Sequence, residues 1–122
     1  MSRHSIIHVE FATANREASG KFFSELFGWD VKQYPEMGYT TFSTGENEVG
    51  GGFNPVGEDN PIGKVVAYIH TDDIDESLRR VEQLGGKCLR PKEMIPTVGW
   101  FAVFSDPGGV EMSLLQPVME GQ

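Results

Sequence analysis

The feature that most constrains this chain is a repeat. Leu26 and Gly28 are followed 58 positions later by Leu84 and Gly86, and each pair closes a stretch with apolar residues at helical spacing. In the first copy Ala18, Phe22, Phe23, Leu26 and Phe27 form the expected buried face, with Asn15 as N-cap and Gly28 as the stop. In the second, Ile74, Leu78, Val81 and Leu84 take that role. Asp72 and Asp73 there supply a cap and the negative charge a helix N-terminus favours, while Gly85 and Gly86 end the helix. Each helix is preceded by an apolar strand, "IIHVEFAT" or "GKVVAYIHT". After the first helix, "MGYTTFST" and "EVGGGFNP" flank the turn "GENE"; after the second come "KCLRP", "VGWFAVFSD" and "GVEMSLLQPV". An offset of 61 lays "GYTTF" on "GWFAV" and pairs Tyr39 with Trp100.

A unit with one helix covers only one face of its own sheet, so the other face must find a use. The expected fold is therefore α+β: two tandem βαβββ modules forming one curved, mostly antiparallel sheet, a cup with the helices on its outer face. At 122 residues this reads as one domain, with module one over about 5–55, a Gly/Pro/Asn-rich linker at 56–63 and module two over about 64–118. The concavity is where a small molecule would bind. Unpaired edge strands at the end of each module point to a homodimer.

A formal net charge of −8 argues against nucleic acid or an anionic membrane as partner, because both require a basic surface. The same charge disfavours a strongly anionic ligand and permits a cationic one. No segment approaches the roughly 20 apolar residues of a spanning helix, and "MSRHSIIHVE" lacks a signal-peptide core. Cys88 is the single cysteine, so no intrachain disulfide forms and a cytoplasmic setting is expected. Its apolar neighbours read as a strand with a buried, inert thiol.

Alternation along the strands nominates site residues. His8 and Glu10 project from one face of the first strand, either as ligand contacts or as a simple hydrogen-bonded pair; a partly buried carboxylate beside histidine is also a candidate acid/base. In the strand of the second module Val66, Tyr68 and His70 share the cup side, and Glu111, Ser113 and Leu115 share it in the last strand. Tyr39 and Trp100 read as aromatic walls around a flat ligand or as core. The "VGGGF" run lacks the helix, Lys and Ser/Thr of a phosphate loop and reads as a strand stripped of side chains, giving space for a ligand or for close approach by a second chain.

Three segments in this order, "FFSELFGWDV", "HTDDIDESLRRVEQLGGK" and "FAVFSDPGGVEMSLLQ", resemble the vicinal oxygen chelate superfamily, which contains glyoxalases, bleomycin-resistance proteins and extradiol dioxygenases. The resemblance covers residues 5 to 117. It implies the cup fold, a homodimer, and a catalytic metal held by one residue from each of four strands. Those positions fall here on His8, near Gly51, on Val66 and on Ser113, so His8 alone is a usual ligand. No metal and no other cofactor is therefore expected. A relocated divalent metal on His8, Glu10 and His70 is the disfavoured alternative, with Glu48 and Glu111 as further carboxylates to check, Glu111 pointing inward but two residues from the ligand position.

Two functions from different classes follow. The first is a metal-independent small-molecule-binding protein similar to the bleomycin-resistance branch, with His8, Glu10, Tyr39, Tyr68, His70 and Trp100 as ligand contacts. The second is a lyase or isomerase related to lactoylglutathione lyase, using Glu10 and His8 as acid/base or a relocated metal.

Overall fold

In the computed structural model, residues 4–58 and 60–118 are described. They form two compact units: Ile7–Val66, and the chain from Ala67 onward together with the segment ending at Ile6.

The first unit contains β1 (Ile6–Thr13), α1 (Arg16–Phe27), β2 (Asp30–Tyr34), a 3-10 turn (Pro35–Met37), β3 (Tyr39–Ser43) and β4 (Gly50–Pro55). Its strands lie in the order β2-β3-β4-β1, with β4 parallel to β1 and the other pairs antiparallel. A parallel pair needs a long crossover, and α1 with β2 and β3 provides it. Asn15 starts the helix: its side chain accepts from Ala18 N at 3.0 Å, and Gly28 ends it at φ 76°. One face of the sheet presents Phe11, Phe42 and Phe53, which pack with Phe23 of α1 and Trp29 at ring-centroid separations of 4.8 to 6.5 Å. Phe53 is the centre of this aromatic core, at 1% exposure.

The helix does not bury the face expected of it. Phe22, Leu26 and Phe27 are each more than half exposed, and contact with the sheet runs through Arg16, Ser19, Gly20 and Phe23. Small residues set that stripe. A Cβ at Gly20 would lie 2.8 Å from Val31 Cγ1, so the helix sits too close to β2 and β3 for larger residues on that line.

The second unit contains β5 (Val65–His70) from Ala67 on, α2 (Ile74–Gln83), β6 (Lys87–Ile95), β7 (Gly99–Ser105) and β8 (Glu111–Pro117), with strands in the order β5-β8-β7-β6. Again the outer pair of the crossover, β5 and β8, is parallel and the rest antiparallel. Ile74, Ala102 and Leu114 form its buried core, with Ile69, Leu78, Trp100 and Phe104 packed against it. Ser5 O accepts from His70 N at 2.8 Å and ties the amino-terminal segment to this unit. Cys88 is half-buried in β6 rather than fully enclosed.

The repeat extends to individual hydrogen bonds. Thr13 Oγ1 and Ser19 Oγ are 2.6 Å apart, and Thr71 Oγ1 and Ser77 Oγ, 58 residues later, are 2.7 Å apart. In both copies the cap residue's N–H donates to that threonine at 3.1 Å. By the same offset Glu10 corresponds to Tyr68. Glu10 pairs with Gly52 and Tyr68 with Ser113, so β4 maps on β8 at 113 − 52 = 61. Thr41 pairs with Gly52 and Val103 with Ser113, so β3 maps on β7 at 103 − 41 = 62.

The expected match of Tyr39 with Trp100 is therefore one residue out. Tyr39 corresponds to Phe101, and a one-residue slip turns a side chain to the opposite face. Trp100 lies on the helix side against the core, with the Lys92 ammonium 4.7 Å from its ring centroid and 3.0 Å from Asp75 of α2. Among the described residues no helix is long and apolar enough to cross a membrane.

Candidate functional site

Four polar side chains of the first unit gather on the sheet face opposite α1. The parallel register sets His8 beside Gly50, Glu10 beside Gly52 and Ala12 beside Asn54, so all of these share one face. On β3, Thr40 and Phe42 are buried toward α1, which turns Tyr39 and Thr41 to the opposite face. His8 Nε2 lies 3.0 Å from Glu10 Oε2, and the Tyr39 hydroxyl donates to the same oxygen at 3.3 Å. Asn54 Nδ2 donates to Oε1.

Gly52 makes this convergence feasible. A Cβ there would lie 2.2 Å from the Tyr39 hydroxyl oxygen and 2.6 Å from Cζ, so the ring crosses the space a side chain would fill. Stripping β4 of side chains thus serves close approach by a residue of the same unit. The ligand position expected near Gly51 belongs by register to the other face, among Phe11 and Phe42; on His8's face β4 offers Gly50, Gly52 and Asn54.

Burial is the largest single influence on Glu10 and raises its pKa. The hydrogen bond and charge of His8, with the bonds from Asn54 and Tyr39, outweigh it and hold the carboxyl below its ordinary 4.5. A carboxyl whose folded pKa is depressed adds stability that is present above 4.5 and is lost as pH falls through the folded value. Glu10→Gln should accordingly flatten the acid limb: urea unfolding at pH 7 and at successive values below 4.5 should show a smaller decline than in the parent. An equal decline would mean that Glu10 does not carry this linkage.

The arrangement makes His8 the outward member. Its side chain is 29% exposed against 18% for Glu10, and a carboxylate on one ring nitrogen fixes the orientation of the imidazole. The second unit has no counterpart. The residues corresponding to His8, Glu10, Tyr39, Gly52 and Asn54 are Val66, Tyr68, Phe101, Ser113 and Leu115, which include neither a carboxylate nor an imidazole.

The remaining nominated residues are carried by β5 and β7. Tyr68 stands beside the buried Ser113 on the face away from Ile69 and Leu114, and His70 stands beside Leu115 with Nε2 3.7 Å from Asp72 Oδ1. Trp100 belongs to the helix-side core and not to a ligand wall. Asn54 was not nominated. Its only signal was parity with Gly52, and that parity becomes informative once β1 and β4 are known to be parallel and in register.

The donor set does not fit a four-ligand metal site. On the shared face His8 and Glu10 are already bonded to each other, and the neighbouring β4 positions are glycines with the Tyr39 ring over one of them. Among the described residues no three His, Cys, Asp or Glu side chains come together as a metal-holding group.

Residues 5–114 match the family model described as the Glyoxalase/Bleomycin resistance protein/Dioxygenase superfamily. The chain belongs to that superfamily. It is 31% identical over 121 residues to the anthracycline biosynthesis protein DnrV of Streptomyces peucetius, covering 85% of this chain and 44% of that protein. It is 37% identical over 114 residues to CFP32 of Mycobacterium tuberculosis, a candidate glyoxylase by name, covering 88% of this chain and 44% of that protein. This superfamily member thus spans less than half the length of these curated relatives. Among solved structures, the hypothetical protein BH1468 from Bacillus halodurans C-125 is similar at a TM-score of 0.75 and 13% identity, over 99% of both chains. Methylmalonyl-CoA epimerase from Mycobacterium tuberculosis is similar at 0.71 and 15%, over 93% of this chain and 88% of that one. At such identities the likeness carries the α+β fold of tandem βαβββ modules and nothing finer.

Proposed function

We propose that this chain is a small-molecule-binding module of the glyoxalase/bleomycin-resistance type that operates without the four-ligand metal of its family. The observation that carries this reading is the convergence of His8, Tyr39 and Asn54 on the Glu10 carboxylate. A carboxylate held by three donors and depressed in pKa is a weak proton acceptor near neutral pH. Its suited task is to hold three neighbouring side chains in fixed positions, with the imidazole as the more outward of the His8–Glu10 pair. That DnrV is named for anthracycline biosynthesis accords with a small organic ligand.

A second reading rests on the 3.0 Å His8–Glu10 contact. In a lyase or isomerase His8 would carry the proton and Glu10 would orient the ring and stabilise its protonated form, as carboxylate–histidine pairs do. The module is further proposed to form a homodimer. Phe22, Leu26 and Phe27 offer an exposed apolar face on α1 for a second copy, and sedimentation at micromolar concentration should give twice the mass of one chain.

Metal analysis combined with a thermal-shift screen separates the readings. Protein purified without chelator should carry no stoichiometric Zn, Ni, Fe or Mn, and ligands that raise its Tm should do so equally in EDTA. Stoichiometric metal that disappears in His8→Ala would sink the metal-independent function. Turnover of a screened compound, lost in His8→Ala and intact in EDTA, would install the acid/base enzyme in its place.

A further inference from the structure

The two units fill the space between helix and sheet very differently. In the first, Phe11, Phe23, Trp29, Phe42 and Phe53 stack through it. The corresponding residues of the second unit are Ile69 (11 + 58), Val81 (23 + 58), Lys87 (29 + 58), Phe104 (42 + 62) and Leu114 (53 + 61). Four of five rings are gone. In their place lies an open cleft of about 680 Å³ between α2 and strands β5, β7 and β8, lined by Ile69, Val81, Leu84, Phe104, Pro107 and Leu114, with Leu84 65% exposed at its rim.

We infer that this cleft is a second ligand site, one that takes a neutral ring compound into the position the aromatic core occupies in the first unit. Its volume falls in the range of small-molecule pockets, about 300 to 1,000 Å³, and an apolar cavity of about 150 Å³ already holds benzene. Four of the polar residues at its wall, which also includes His4 and Ser105, are bonded within the protein. Ser77 Oγ is 2.7 Å from Thr71 Oγ1, Asp106 Oδ1 accepts from Gly108 N and Val110 N at 2.8 Å each, Arg80 donates to Gln83 at 3.2 Å, and Glu76 pairs with Arg79. A charged ligand would have to break these bonds to be recognised there, whereas an uncharged ring meets the carbon surface left by the missing aromatics. The site lies wholly in the second unit, on the helix side of its sheet, and shares no residue with the Glu10 cluster.

Indole serves as the probe, because it is a neutral fused ring of the size the first unit buries. Titrated into the protein with methyl groups observed by NMR, it should shift Ile69, Val81, Leu84 and Leu114 saturably at one equivalent. A saturating excess should raise Tm by about 2 °C or more. Val81→Phe restores the ring that Phe23 supplies in the first unit; it should raise the Tm of the free protein and abolish the saturable shifts. Should that variant lose a dispersed spectrum, Ile69→Phe, the counterpart of Phe11, makes the same test. Indole that leaves these methyls unmoved, or moves them equally in parent and ring-restored protein, would overturn the assignment.

Discussion

Alanine at Gly51 should strongly destabilise the first unit. An added Cβ would lie 1.7 Å from the Val9 carbonyl oxygen and 2.9 Å from Phe42 Cζ, with the main chain of β1 on one side and a 6% exposed core ring on the other. Neither can retreat. The carbonyl is held in the β1–β4 ladder, where Val9 pairs directly with Gly51, and Phe42 is packed against Phe11, Trp29 and Phe53. Overpacking of a core typically costs about 1 to 3 kcal/mol, and a clash against main chain belongs at or beyond the top of that range, so a loss of about 3 kcal/mol or more is expected. Urea unfolding followed by circular dichroism measures it.

Gly52→Ala is the informative partner. There the added Cβ meets the far end of Tyr39, which can swing away, so stability should fall by about 1 kcal/mol while the Tyr39–Glu10 contact is lost. Two adjacent glycines thus predict opposite kinds of damage, one to the fold and one to the site. Equal stability of the two alanine variants would contradict the register that pairs Val9 with Gly51 and Glu10 with Gly52.

Much of this was legible in the residues because the repeat and the alternation are local properties. The caps at Asn15 and Asp73, the stop at Gly28 and the shared face of His8 and Glu10 follow from spacing within single elements. What escaped depends on contacts between elements. The loop and strand between α2 and β7 are longer than their counterparts by four residues, and the β7–β8 turn is shorter by one. Only the strand pairings divide a net offset of 61 in that way and move Trp100 from a ligand wall to the core. The buried stripe of α1 was hidden by its small residues, since Ser19 and Gly20 carry no hydrophobic signal, yet let the helix approach the sheet. Asn54 was invisible for the same class of reason. Asn54 sits in the segment read as a strand, and nothing short of the parallel pairing of β1 with β4 puts it against Glu10.

Removing the Glu10 carboxylate is the second large effect expected, and it falls on ligand affinity. Glu10→Ala takes the shared acceptor from three donors at once, one of them on β3, one on β4 and one on β1 itself. Losing one hydrogen-bond partner costs a donor about 1 to 3 kcal/mol when the site is fully enclosed. Since this cluster is partly open, a total of about 2 kcal/mol in stability is expected. The loss of affinity should be larger in proportion. Tyr39, Asn54 and His8 would lose the acceptor that aligns them with one another, so any compound found by thermal shift should bind about 100-fold more weakly, the scale of one or two charge-assisted hydrogen bonds. Glu10→Gln keeps the volume but sets an amide donor toward groups that are themselves donors, so it should spare more stability than alanine and still lose most of the affinity. Glu25→Gln, which breaks only the exposed Lys21–Glu25 pair, should leave both quantities unchanged and serves as the control for a lost surface charge. Calorimetric titration of the four proteins decides the matter: binding within twofold of the parent in both Glu10 variants would remove the cluster from ligand recognition and leave it a structural tie between β1, β3 and β4.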